Sequence, residues 1–216
     1  MFKKLIMSCM AVAAFAAFVL PASASAATAT DPGDVAVGAS ITGKNIGNAS
    51  FMATDGTTVQ VTCTTAHAVG TVTKNSGGVF AASITSFSFS GTGGVFDSRP
   101  ECTAPFGGNA YVTVTNLPLS ITTVAGTDTL QIVGNSGAKV RFVMGSTIAG
   151  ACEYEATNAA ITGTFTTAAT TVLTTNNTQA GSGSKLVGGG FFCPTSVQLS
   201  MSFYLATTNG TEIGIS

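Results

Sequence analysis

The chain has 216 residues, of which only 8% are charged, with Lys+Arg 8 against Asp+Glu 9 and a formal net charge of −1. It has no basic stripe to grip a nucleic-acid backbone and no polybasic cluster to sit on anionic lipid. Polarity comes instead from hydroxyls and amides, above all from 35 threonines, so little charge repulsion keeps neighbouring copies apart.

The first segment reads as an address. Lys3 and Lys4 precede an apolar run over residues 5–20, Pro21 breaks it, and Ala24-Ser25-Ala26 supplies small residues for a peptidase. That order predicts a secretory signal peptide at 1–26. The run is also short for a membrane span of about 20 residues. Cys9 leaves with it, and losing Lys3 and Lys4 takes the net charge from −1 to −3. Later apolar runs are strand-sized, so no transmembrane span is expected after cleavage. Asp31-Pro32-Gly33-Asp34 marks a flexible lead-in at 27–35, and 36–216 reads as a single domain. The expected destination is outside the cytoplasm: the medium, the cell surface or the periplasm.

From there the hydrophobic period is two. Val59, Val61 and Cys63 alternate with polar residues, and Ile84, Phe87 and Phe89 stand out of a Ser-rich run. Val112 and Val114, Leu119 and Ile121, and Leu130 and Ile132 follow in turn. Next come Val140, Phe142 and Met144, then Ile161, Gly163 and Phe165. The longest run is Val197, Leu199, Met201, Phe203 and Leu205. Alternation in Thr, Val, Ile and Phe is the strand signature. Asp55-Gly56, Ser76-Gly77-Gly78, Gly107-Gly108-Asn109, Ala125-Gly126, Asn135-Ser136-Gly137 and Asn209-Gly210 supply the turns. The Gly/Ser-rich stretch 180–190 reads as a mobile loop. The expected fold is all-β, an antiparallel sandwich or barrel of about ten to twelve strands. Val69-Gly70-Thr71-Val72 after Cys63 echoes Ile161-Thr162-Gly163-Thr164-Phe165 after Cys152. Both a duplicated half and the monotony of a Thr/Gly-rich chain produce such an echo.

Cys63, Cys102, Cys152 and Cys193 remain after cleavage, an even number in an exported chain, which predicts two disulfides. Of the three pairings, near-equal spacing favours Cys63 with Cys102 and Cys152 with Cys193. Each bridge is worth about 4 kcal/mol in the chain-entropy model. A metal reading is poor, with no C-x-x-C and His67 as the lone histidine.

No residue set points to catalysis. His67 is the sole candidate base, and no G-x-S-x-G surrounds a serine. Glu153 and Glu155 flank Tyr154 and share a strand face, the solvent face if Cys152 and Tyr154 point inward. Trp is absent, leaving Tyr111, Tyr154 and Tyr204 to stack on a sugar. Asp31 with Asp34, and Asp97 with Glu101, are the nearest approaches to a calcium cluster and lack its spacing. Sequences of the N-x-S/T type at Asn48, Asn176 and Asn209 are expected by chance in so Thr-rich a chain. Phe87, Phe89 and Phe191-Phe192 are expected mostly in the core. The chain is therefore expected to have no catalytic, cofactor or metal site and not to be an enzyme.

The layout resembles a known family. It runs Val61-Thr62-Cys63, Ile84-Thr85-Ser86-Phe87, Cys102, Asn116-Leu117-Pro118-Leu119, Cys152-x-Tyr154, Gly163-Thr164-Phe165 and Cys193-Pro194. This is similar to the small secreted bacterial β-proteins of the PraB-like type, described as extracellular activators of alkane oxidation. Where that family often has an aromatic after the Leu-Pro, this chain has Leu119. The resemblance implies an extracellular, non-enzymatic role linked to hydrophobic substrates and carries over no site residue. Two functions are expected on these grounds. The first is a structural or interaction role at the cell surface or in the matrix, through self-association or a cell-surface component. Residues 211–216 would then form an edge strand open to another chain. The alternative is a carrier or solubiliser of alkane or lipid, with an apolar cavity or groove.

Overall fold

The computed structural model describes residues 29–31, 33–53, 59–91, 95–96, 99–104, 108–134, 141–146, 150–156, 161–165, 172–176, 184–189 and 193–215. All regular structure there is strand. β1 (Ala29–Asp31) and β2 (Gly33–Asp34) lead into the long β3 (Ser40–Ala53). β4 (Val59–Cys63) and β5 (Thr65–Ser76) follow with only Thr64 between them, and β6 (Val79–Ser90) returns along β5. Then come β7 (Val95–Phe96), β8 (Arg99–Pro100), β9 (Cys102–Thr103), β10 (Asn109–Val114), β11 (Leu119–Thr123) and β12 (Thr129–Val133). The last third is β13 (Arg141–Ser146), β14 (Gly150–Ala156), β15 (Ile161–Phe165), β16 (Val172–Asn176), β17 (Ser184–Gly189), β18 (Ser196–Thr207) and β19 (Gly214–Ile215).

Local chemistry accounts for the long elements. In β18 the buried Val197, Leu199, Met201, Phe203 and Leu205 alternate with half-exposed Gln198, Ser200, Ser202 and Tyr204. Each large apolar side chain so buried contributes about 1.5–3 kcal/mol. The β5–β6 hairpin closes at Ser76 and Val79 through Gly77 (φ 62°) and Gly78 (φ 74°), the paired positive dihedrals of a tight hairpin turn.

The pairings form a closed antiparallel barrel, which decides between sandwich and barrel. Its spine is the pair β3–β18, in register from Ile41 opposite Thr207 to Ala53 opposite Val197. Two strands share each outer edge of that spine. Along β18, β17 pairs at Ser196 and Val197, and β16 pairs from Ser200 to Tyr204. Along β3, β5 takes residues 40–44 and β4 takes residues 49–52. Two circuits therefore run round from the same spine. The first passes through β5, β6, β11, β12, β15 and β16. The second passes through β4, β9, β10, β13, β14 and β17. One described pair, Ser88 with Thr113, stitches β6 to β10 between them. The interior is one continuous apolar cluster.

The circuits part at a bulge. β3 carries extra residues between Ile46 and Ser50, with Gly47 at φ 71°. Asn45 fastens the bend. Its Oδ1 accepts the Ala66 N–H at 2.8 Å, and its Nδ2 donates to the Thr64 carbonyl at 2.9 Å and to the Gly47 carbonyl.

Both bridges pair as the spacing favoured, Cys63–Cys102 and Cys152–Cys193. Both lie in the second circuit. The first ties β4 to β9, whose one described residue pair is Thr62 with Thr103. The second runs from β14 to the residues that lead into β18.

Three expectations are corrected. The stretch 180–190, read as a loop, contains strand β17. Its Gly189 serves close packing, since a Cβ there would sit 2.6 Å from the Cys193 sulfur. The lead-in at 27–35 contains β1 and β2, which form a sheet of order β19-β1-β2. Of residues 211–216, the described Glu212 to Ile215 pair within the chain, with β19 at one end of that sheet. Ile213 N–H donates to Leu205 O at 2.9 Å, Glu212 bridges Ala206, and Ile215 stands opposite Ala29. The reason is apolar, because Ile213 and Ile215 are 0% exposed. Simple alternation also fails in β10, where Ala110, Tyr111 and Val112 are all buried. The Arg99 guanidinium of the β7–β8 hairpin lies 4.1 Å from the Tyr111 ring and covers that outer face.

Candidate functional site

The residues singled out for chemistry stay apart. His67 is half-exposed on β5, opposite Lys44 and Ser88. Glu153 and Glu155 share the outer face of β14, with Cys152 and Tyr154 buried beneath, as strand parity predicts. Glu155 is engaged by Arg141 on β13, with Nε at 2.8 Å and Nη2 at 2.7 Å from its Oε2. His67 and Glu153 fall on one register row through Ser88, Thr113 and Val143. Four strand steps of about 4.8 Å put them roughly 19 Å apart, beyond any shared proton. The tyrosines do not make a stacking platform: Tyr111 is under the hairpin, Tyr154 inside the barrel, and Tyr204 half-exposed on β18. Among the described residues no three His, Cys, Asp or Glu gather as metal ligands. Asp34 pairs with Thr30 in the terminal sheet, while Asp97 and Phe191-Phe192 lie outside the described residues. Asn48 and Asn209 are exposed and Asn176 ends β16.

Among the described residues, Tyr154 has a strongly moved titration. Burial pushes its phenol up to about 12, because ionising it would strand a charge away from water. Its hydroxyl donates to the Pro194 carbonyl at 3.1 Å. That bond holds the segment after Cys193 against β14, beside the second disulfide, which is a structural task.

The interior offers one apolar cavity among those described. Gly43, Ile84, Phe87, Leu119, Met201 and Phe203 are among its lining residues, all of which are apolar. Its volume is about 10 Å³, close to one water-sized sphere. With nothing polar to hold water, such a space stays dry.

The outer face is organised in a way composition alone did not reveal. Ser200, Ser50, Thr62, Thr103 and Asn109 are successive register neighbours on β18, β3, β4, β9 and β10. Thr129, Thr164, Thr174 and Ser202 make a second row on β12, β15, β16 and β18. Within it the Thr174 and Ser202 hydroxyls are 3.0 Å apart. None of these side chains is buried. The rows repeat at strand spacing, about 4.8 Å, and carry no formal charge. Alternation marks which residues face outward. The rows depend on which distant strands become neighbours, and no local signal carries that.

The chain matches no family model, no curated protein and no solved structure.

Proposed function

We propose that the chain is an exported, non-catalytic β-barrel protein with a structural or interaction role at the cell surface or in the extracellular matrix. The rows of uncharged hydroxyl and amide side chains across adjacent strands carry this reading. Such a face is wetted without building the like-charge field that holds copies apart. Two disulfides in the barrel wall suit a compartment outside the cytoplasm, where such bonds persist. The partner this favours is a further copy of the chain or a polar component of the cell surface.

The test is native mass spectrometry with light scattering on the oxidised protein, with lipid extraction of the same sample. Oligomers without lipid are expected. Their distribution should hold between about 0.05 and 0.5 M salt, because few charges are there to be screened. A bare monomer, found only in the culture medium, sinks the reading. Carriage of alkane or lipid is the second reading, supported by the all-apolar lining of the cavity. At about 10 Å³ that space takes no alkyl chain as it stands. A monomer carrying apolar ligand would transfer the assignment to carriage.

A further inference from the structure

We infer that copies of this chain join by exchanging the arm β1–β2, so that the arm of one copy pairs with β19 of the next. The inference rests on the self-association reading and names the surface that performs it. Among the described residues the closed barrel leaves the spine and both circuits without a free edge. Of the two small sheets outside it, β7–β8 and β19-β1-β2, the terminal one joins both ends of the domain and offers an arm that can exchange. There, β1 pairs Ala29 with Ile215 and Thr30 with Gly214, and β2 pairs only with β1 among the described pairings. The arm therefore joins the barrel by strand pairing through β19 alone, and a second copy's arm would bring the same residues to the same places.

The connection between arm and barrel is built as a hinge. Val35 is buried on the arm side, its carbonyl held by Asn75 Nδ2 at 2.8 Å. On the barrel side Gly38 N–H donates to Val72 O at 2.8 Å, and Val72 N–H donates to Ala39 O at 2.9 Å. Between these anchors is a single turn, closed by Ala39 N–H to Ala36 O at 3.0 Å. Gly38 has φ 91° at its third position, the signature of a type II turn. Ala36 and Val37 are exposed, and Val37 at 63% is the more exposed of the two large apolar side chains that stand out among the described residues. Opening this turn would send the arm outward and leave both anchors intact, Val35 now held by Asn75 of the neighbour. An exchange of identical elements through a short hinge changes few contacts and is driven by concentration. It would also place Val37 between two barrels, where a neighbour can cover it.

The hinge can be biased without touching the barrel. A Cβ added at Gly38 meets nothing within 4 Å, so Gly38→Ala acts through the positive φ alone. It disfavours the closed turn and should lower the concentration at which oligomers appear by about tenfold. The exchange is read directly by mixing chains carrying Ala29→Cys with chains carrying Ile215→Cys, followed by oxidation. Disulfide-linked dimers containing one chain of each kind are expected. The double variant A29C/I215C, kept dilute, should close within one chain. Oligomers without the mixed crosslink, in a sample whose double variant does close, would overturn arm exchange and leave self-association standing. Failure of the double variant to close also overturns it. Absence of oligomers in every sample would remove both readings. If Ile215→Cys does not fold, Gly38→Ala decides: an unchanged oligomer threshold overturns the proposal.

Discussion

At the scale of single residues, Tyr154 links burial to pH. Its phenol is held neutral up to about 12, whereas an unfolded chain ionises a tyrosine near 10. A raised folded value contributes stability that is fully present below the unfolded value and lost as pH rises through the folded one. The melting temperature should therefore fall between about pH 10 and 12. Tyr154→Phe should flatten that fall while losing the bond to Pro194 O. Equal slopes for both proteins would show that the phenol is not protected. The inward direction of Tyr154 was legible from parity with Cys152, and so was the outward direction of Glu153 and Glu155. The Arg141–Glu155 ion pair was not, because Arg141 becomes a neighbour only through β13–β14 pairing. Tyr111 was equally hidden, since its cover comes from a hairpin that no periodicity marks.

At the scale of elements, glycine has two uses here that look alike in sequence. Gly77 and Gly210 supply positive φ in turns, as their positions between alternating runs suggest. Gly163 and Gly189 admit a neighbour. A Cβ on Gly163 in β15 would stand 2.4 Å from the Thr174 carbonyl oxygen of β16, a backbone atom that cannot step aside. Gly163→Ala should push β15 off β16 and cost about 1–3 kcal/mol, read as a shift of the urea midpoint. An unchanged midpoint would mean that the two strands have slack. The same ambiguity explains why 180–190 reads as a loop and contains β17. Long strands such as β18 were plain because five apolar residues alternate without interruption. Two-residue strands such as β9 have too few residues for any period.

At the scale of the whole molecule, both disulfides lie in one of the two circuits. Each closes a loop of about 40 residues (sequence separations 39 and 41) and is worth about 4 kcal/mol in the chain-entropy model. Reduction should accordingly loosen the second circuit first. In hydrogen exchange of the reduced protein, amides of β4, β9, β14 and β17 should lose protection while those of β11, β12 and β15 keep it. Uniform loss across all seven strands would show that the barrel opens as a single unit. Cysteine spacing announced the bridges and alternation announced an all-β chain. Closure into a barrel with a divided wall was not legible, because it depends on β3 and β18 each taking two successive partners along one edge. The site was less legible than the fold: the hydroxyl rows and the hinge arise only once those distant partners meet.

The spine has one more consequence, for timing. β3 lies near the start of the domain and β18 near its end, and both circuits that share the spine run through their contact. A chain threaded through a translocation channel with its N-terminus leading cannot complete either loop until β18 has passed. Until then hairpins such as β5–β6 can form, but they lack the wall they belong to. The keystone is the last long strand delivered, so under the proposed export the two circuits would set only after β18 had arrived.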